Sequence, residues 1–432
     1  MEWGLLGGET IGGTRRTRTL GLVASVRLFN ELAVPGLGGV WYAKQVVLAL
    51  LGIHHAEAAR RDGRGLSNIT TANAIEALAV WWAFRRHRWA RDGRLPGYRK
   101  LLRHDQGQDP PFKVAASRSF YVSQPMRIRT RDALLTLGLV EAQSRSFNAY
   151  TCTARGRALL EAACPEARRT LSDWVAGAAL PFRFGATRDE LDPTRPLPPR
   201  AREILREALV AGADPDRARR RCALDWVDAL HARGVGHTRW DQRPAEIVEP
   251  AHWFDMRAGA AFGHVIAAAA GDFEGGSVLD RIEDRMARAG VRKLAIAQAA
   301  DAGLRPALSE LRRRAQAFLA LEHDPTPERA ASRFCEECAL TDDGALLSRL
   351  IARDERILRL ADGLILAGAA FRGGPRGATA EPADPGEIED EMGARAPTDP
   401  HAPLPDGISG RVHNLVVLAN DLRPASTASI GA

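Results

Sequence analysis

The sequence predicts a mainly α fold: an N-terminal helical region, a small α/β module and a C-terminal helical domain. Three observations predict it. Apolar residues recur at helical spacing through most of the chain, and strand-like alternation is scarce. Residues 123–163 break that pattern, with β-prone runs at 139–140 and 149–153 between two helical stretches. Proline- and glycine-bearing breaks at 189–199 and 371–405 separate the helices into blocks. The expected division is a helical region over 1–105, the α/β module over 106–176 and a proline-bearing linker over 177–199. A helical domain over 200–370, a flexible linker over 371–406 and a terminal helix and tail over 407–432 complete it.

At 432 residues the chain is long enough for two or three domains. A composition 45% hydrophobic and 26% charged is that of a folded globular protein, not of a disordered one. The formal net charge of +7, carried largely by arginine, favours a polyanionic partner. Abundant alanine and glycine offer a second source for the arginines, a GC-rich coding sequence. The five cysteines, Cys152, Cys164, Cys222, Cys335 and Cys338, are too sparse for a disulfide framework, so a cytoplasmic location is expected. The opening MEWGLLGGETIGG has no basic run followed by a sustained apolar one, so no secretory leader is expected. Residues 34–53 are apolar but contain Pro35, several glycines and Lys44, which predicts a buried helix and no membrane span.

Residues 1–20 carry Arg15, Arg16 and Arg18, either as an arm that touches phosphates or as a mobile terminus. A helix is expected over 22–32, ending before Pro35, Gly36, Gly38 and Gly39. Another runs over 40–59 and is broken by Gly63 and Gly65. The next, over 68–91, has Asn68 or Thr70 as its cap and an apolar face of Ile75, Leu78, Ala79 and Trp82. Near its end Trp81, Trp82, Phe84 and Trp89 mix with Arg85, Arg86, His87, Arg88 and Arg91. Such a mixture either grips nucleic acid by stacking and charge or packs its rings inside with arginines on the rim. Arg94, Arg99, Lys100 and Arg103 extend the positive run before a loop at 104–111.

The 123–163 stretch reads SQPMRIRTRDALLTLGLVEAQSRSFNAYTCTARGRALLEA. Ser123 suits an N-cap, and Pro125 suits the first turn. Ile128, Leu134, Leu135 and Leu137 supply an apolar stripe, and Gly138 ends the helix. A short strand, a polar tip over 143–148, a returning strand and a second helix from Ala154 follow. This order resembles the second half of a winged helix-turn-helix domain, and LGLVEAQSRSFNAYTCTARGRALL is similar to that superfamily's ending. The resemblance covers about forty residues and departs from the family upstream, where 113–121 must supply a compressed preceding helix. It implies a duplex-binding role. Arg127, Arg129 and Arg131 would project together from the recognition helix, with Gln124 and Thr130 touching base edges or phosphates. Arg145 and Asn148 would stand at the wing tip, and Arg155 and Arg157 at the start of the last helix. Winged helices also serve as protein-binding modules, so a protein partner or a homodimer stays open beside duplex DNA.

Further helices are expected over 166–175, 200–211, 215–233, 252–270, 277–289, 291–302, 304–322 and 326–338, with a long pair spanning 343–368. Asp214 before Pro215, and Ser277 with Asp280, read as helix starts. After the acidic run Glu387, Glu389, Asp390 and Glu391, a terminal helix over 409–422 carries Val412, Leu415, Val416 and Leu418. It either docks on its own domain, the favoured reading, or binds a partner.

No enzymatic signature emerges. Cys335 and Cys338 form a single C-x-x-C pair with no second pair to complete a zinc site. His54, His55 and Glu57 lack the i,i+4 ligand spacing. His252, Asp255, His264, Asp272 and Glu274 form a loose set, short of a closed metal constellation. Neither glycine cluster, 36–39 nor 271–276, has a phosphate-loop order. No catalytic residue, metal ligand or cofactor is therefore assigned. The expected function is a non-enzymatic DNA-binding protein or DNA-binding subunit of a bacterial assembly, with no membrane partner. The alternatives are a helical adaptor whose winged module binds protein, and a metal-dependent hydrolase or nuclease.

Overall fold

The computed structural model describes residues 18–105, 107–117, 119–122, 124–180, 185–212, 215–234, 238–271, 276–372 and 403–423. The fold is mainly helical, as expected. Two compact units emerge: 29–257 with 403–423, and 18–28 with 258–372.

Helix α1 (Val23–Ala33) leads into the larger unit, which is built around α2 (Ala43–Arg61). Val46, Val47, Leu48, Leu50, Leu51 and Ile53 of α2 are all buried, so this helix has no wet face along that stretch. That is why 34–53 reads as almost continuously apolar. Among the described residues, no helix is long and apolar enough to cross a membrane. Helix α3 (Asn68–Arg86) crosses α2 at Gly52, where a Cβ would come within 2.3 Å of the Ala72 Cα. Only glycine permits that approach. The cap of α3 is Ser67, whose Oγ accepts from the Thr70 amide at 3.1 Å, and not Asn68 or Thr70.

The chain continues through α4 (Tyr98–Arg103) and the single turn α5 (Phe112–Ala115); of the helix expected over 113–121, the described residues beyond Ala115 form turns and not helix. Next come α6 (Arg127–Thr136), β1 (Val140–Glu141), β2 (Thr151–Cys152) and α7 (Ala154–Ala163). The succession of helix, strand, tip, strand and helix is as expected. Gly138 leaves α6 at φ 63°. Helices α6, α7 and α8 (Pro165–Val175) all pack on α2.

The 177–199 segment is no linker between domains. It forms α9 (Gly185–Leu191), which packs on α8 and α3, and it buries Leu191 and Leu197. The Glu190 carboxylate accepts from the Glu166 and Ala167 amides at 3.2 and 2.7 Å, capping α8. Its last proline, Pro199, opens α10 (Pro199–Leu209) as an N1 residue. Helix α11 (Pro215–Arg233) follows, with Asp214 outside the described residues. The C-terminal helix Gly410–Asp421 docks on this same unit. Val412, Leu415 and Leu418 are buried, and the Asp421 carboxylate accepts from the Ala43 amide at 2.8 Å, at the start of α2.

The smaller unit takes α12 (Pro250–Ala270) from Ala258 onward, then α13 (Val278–Arg288), β3 (Lys293–Ala295) and α14 (Ile296–Ala299). It ends with α15 (Arg305–Leu319), α16 (Ala330–Cys338), α17 (Asp343–Asp354), β4 (Leu358–Ala361) and β5 (Leu364–Ala367). Ser277 caps α13 as expected, accepting from the Asp280 amide at 3.3 Å. Two expected helices are corrected. The 291–302 stretch opens as β3, and the second half of 343–368 is the β4–β5 hairpin. The strands form an antiparallel sheet ordered β3-β5-β4, with Leu294 and Leu360 both opposite Ile365. Glu355 at φ 49° ends α17, and Asp362-Gly363 turns the hairpin with both φ angles positive, 48° and 72°. Arg18 is no phosphate arm. It is buried and pairs with Asp280, with Glu283 at 2.9 Å and with Asp354 at 3.2 Å. Arg15, Arg16 and the acidic run at 387–391 lie outside the described residues.

Candidate nucleic-acid interface

Helix α6 begins without a side-chain cap of its own, and Ser123 lies outside the described residues. The cap comes from α3. The Glu76 carboxylate accepts from the Met126 amide at 2.6 Å and from the Arg127 amide at 3.2 Å. A carboxylate suits the positive end of a helix, but Glu76 is only 1% exposed. Burial pushes its carboxyl up to about 7, against the hydrogen bonds from Met126 and Arg127 that favour the charged form.

The three arginines of α6 do not project together. A helix places i and i+4 on one side and i+2 on the other. Arg127 is drawn down onto α3, where its Nε donates to Asn73 Oδ1 and its guanidinium lies 5.6 Å from the centre of the Phe147 ring. Arg129 faces inward beside Tyr42, Glu76 and Tyr121, and burial lowers the affinity of both guanidiniums for their proton. Arg131 alone of the three stands in solvent, its side chain 50% exposed and its Nε 3.5 Å from Asp132. Thr130 is fully buried and donates to the Arg127 carbonyl at 2.9 Å, so it is withdrawn as a base contact. Gln124 is half-buried and engaged within the protein.

The β1–β2 hairpin is two residues long on each side, with Val140 opposite Cys152 and Glu141 opposite Thr151. Its tip folds inward through a 3-10 turn at Phe147–Ala149, burying Phe147 and Tyr150. Asn148 is consequently turned toward α3, where its Oδ1 accepts from the Ile69 amide at 3.0 Å. It supports a helix start while remaining exposed in the tip. The Tyr150 hydroxyl shares its proton between the Arg131 and Arg145 carbonyls, at 3.3 and 3.4 Å. One buried hydroxyl thus ties α6 to the hairpin tip at two residues, Arg131 and Arg145, that are both exposed. Arg155 is also exposed, and its Nη1 donates to the Leu137 carbonyl at 3.3 Å, closing the end of α6. Arg157 stays in solvent near Glu57.

The glycine loop at 36–39 packs on this helix. The Gly39 amide donates to the Arg129 carbonyl at 3.1 Å, and a Cβ on Gly38 (φ 60°) would sit 2.6 Å from that oxygen. Its glycines serve close packing, not phosphate binding. Glu76, Asn73 and Tyr150 went unread in the sequence. The one signal was a glutamate inside the apolar run ANAIEALAVWW.

The other candidates are engaged elsewhere. Cys335 and Cys338 are buried on α16, and burial pushes both thiols up. Burial holds His54 at about 4 and His55 at about 3, helped by nearby Arg168, so both are neutral near pH 7. The His252 Nε2–H donates to the Ala33 carbonyl at 2.8 Å, and Asp255 pairs with Arg219 at 2.7 Å. Asp272 and Glu274 lie outside the described residues. Among the described residues, no group of three His, Cys, Asp or Glu side chains is placed to hold a metal ion. No family model, curated protein or solved structure matches this chain.

Proposed function

We propose that the protein binds duplex DNA without acting on it chemically, alone or as the DNA-binding subunit of an assembly. The observation that carries this reading is the Tyr150 hydroxyl joining the Arg131 and Arg145 backbones, which holds two exposed arginines, one from α6 and one from the tip, near one another in the fold. Two cations set at one ridge suit successive phosphates of a backbone, which arginine contacts with its fixed fork of donors. Arg131, Arg145 and Arg155 form the contact set, and Arg127 and Arg129 organise the helix beneath. The test is duplex binding across a salt series. Replacing Arg131 and Arg145 together by alanine lowers the slope of log affinity against log salt by about 2, since each phosphate contact contributes about 0.9. An unchanged slope in a folded double variant sinks the assignment.

A second reading rests on Ile128. It stands 46% exposed on the outer side of α6, where an apolar residue suits a protein surface better than a phosphate backbone. Absence of duplex binding at low salt, with a partner association weakened by Ile128→Asp, selects the adaptor.

A further inference from the structure

The aromatic and basic end of α3 is not used by the α6 ridge, and its side chains separate into two sets. Trp81 and Phe84 are buried, and Phe84 stacks on Trp89 at 5.3 Å, so the rings are core. The arginines are not simply a rim. Arg85 and Arg86, in the last turn of α3, meet Arg188 of α9 around a cleft of about 350 Å³ lined also by Trp82, Asp109 and Asp192.

Two of the three guanidiniums are held in place from behind. Arg188 lies over the Trp82 ring at 5.1 Å and donates to Asp109 Oδ2 at 2.8 Å. The other Asp109 oxygen accepts from Trp82 Nε1 at 2.9 Å. Arg86 donates to Asp192 Oδ2 at 3.0 Å and also pairs with Asp189. The second Asp192 oxygen accepts from the Thr194 amide and hydroxyl at 2.9 and 2.6 Å. Both lining carboxylates are therefore already engaged by donors, and they orient arginines as outer partners orient a ligand-binding group. Arg85 differs. Its nearest carboxylate oxygens are 3.8 Å away on Asp105 and 3.9 Å away on Asp109, beyond hydrogen-bond range. Three guanidiniums and two carboxylates line the cleft, and Asp105 and Asp189 stand outside the lining as further partners of Arg85 and Arg86.

We propose that this cleft binds a terminal phosphate monoester, with Arg85 as its principal donor and Arg86 and Arg188 as preset flanking donors. A phosphate dianion offers three oxygens to the three guanidiniums of the lining, where a carboxylate offers two. The volume exceeds that of a bare phosphate and leaves room for the attached group. The same chemistry is presented by a small phosphorylated metabolite and by the 5′ end of a nucleic acid strand.

The test is calorimetric titration of the whole chain with inorganic phosphate, a nucleoside 5′-monophosphate and a single-stranded oligonucleotide with or without its 5′-phosphate. Binding of the monophosphate is expected to weaken at least tenfold in Arg85→Ala. That residue's long ion pairs leave the fold intact, which circular dichroism checks. Arg85→Lys, which keeps the charge but loses the fork, is expected to recover part of the loss. Inorganic phosphate competes. Tighter binding of the phosphorylated oligonucleotide than of the monophosphate identifies a strand end as the ligand, and the reverse order identifies a metabolite. No binding by any phosphate probe, or equal binding of the monophosphate by folded Arg85→Ala, overturns the proposal. The Arg131 and Arg145 double variant binds the monophosphate normally, so this site and the duplex-binding ridge stand or fall separately.

Discussion

Glu76 decides the local electrostatics of α6. Its carboxyl is raised from 4.5 to about 7 by burial, so between those values the native chain keeps a proton that the unfolded chain has released. Native stability from this group is therefore full below about 4.5 and is lost as pH rises through about 7, by roughly 3 kcal/mol in all. Neutral His54 and His55 act in the opposite sense over part of that range, since their folded values are depressed. The informative quantity is thus the difference between wild type and Glu76→Gln. Denaturant titrations at pH 5 and pH 8 are expected to show the variant gaining on wild type at the higher pH. Parallel pH profiles for the two proteins refute the role given to Glu76. Arg127, Arg129 and Arg131 were visible as residues, but which guanidiniums reach solvent was not. Spacing gives the angle around α6, and only the position of Asn73 and Tyr42 beside it gives the direction of the core.

At the scale of elements, Asn148 separates two accounts of the β1–β2 hairpin. If its amide supports the start of α3, as the 3.0 Å bond to the Ile69 amide shows, Asn148→Ala costs about 1 kcal/mol of stability and leaves duplex affinity unchanged. Thermal melts and the salt-series binding assay read the two effects independently, and a loss of affinity without a loss of stability reverses the assignment. Helices were the legible elements, because a stripe at 3.6-residue spacing survives small errors of register. The expected ends of α11 and the structure agree, and most others shift by a few residues. The hairpin was missed although its signal was present. Asp362-Gly363 between LRLA and LILA is a two-residue turn flanked by apolar strands, but each strand is too short to reveal its period.

The whole molecule divides in a way no linear boundary captures, since residues 403–423 belong with 29–257 and residues 18–28 with 258–372. Docking of the C-terminal helix is testable through Leu415, which is buried beside Val412 and Leu418. Leu415→Ala is expected to cost about 2–4 kcal/mol by opening a cavity. A denaturation midpoint unchanged from wild type, followed by the Trp81 and Trp174 environment of the larger unit, refutes that docking. Proline-rich 177–199 was read as a linker because composition reports flexibility on average. Here Leu191 and Leu197 found a core to enter, and Pro199 started a helix.

By itself the sequence determined the helical class, most helix positions and the helix–strand–strand–helix order of the module, because these depend on local spacing and turn residues. Tertiary structure alone decided which arginines face water, that Glu76 caps α6, and that Arg85, Arg86 and Arg188 share one cleft. Those outcomes depend on which distant side chains become neighbours. Burial and desolvation act on neighbours in space, whatever their separation along the chain.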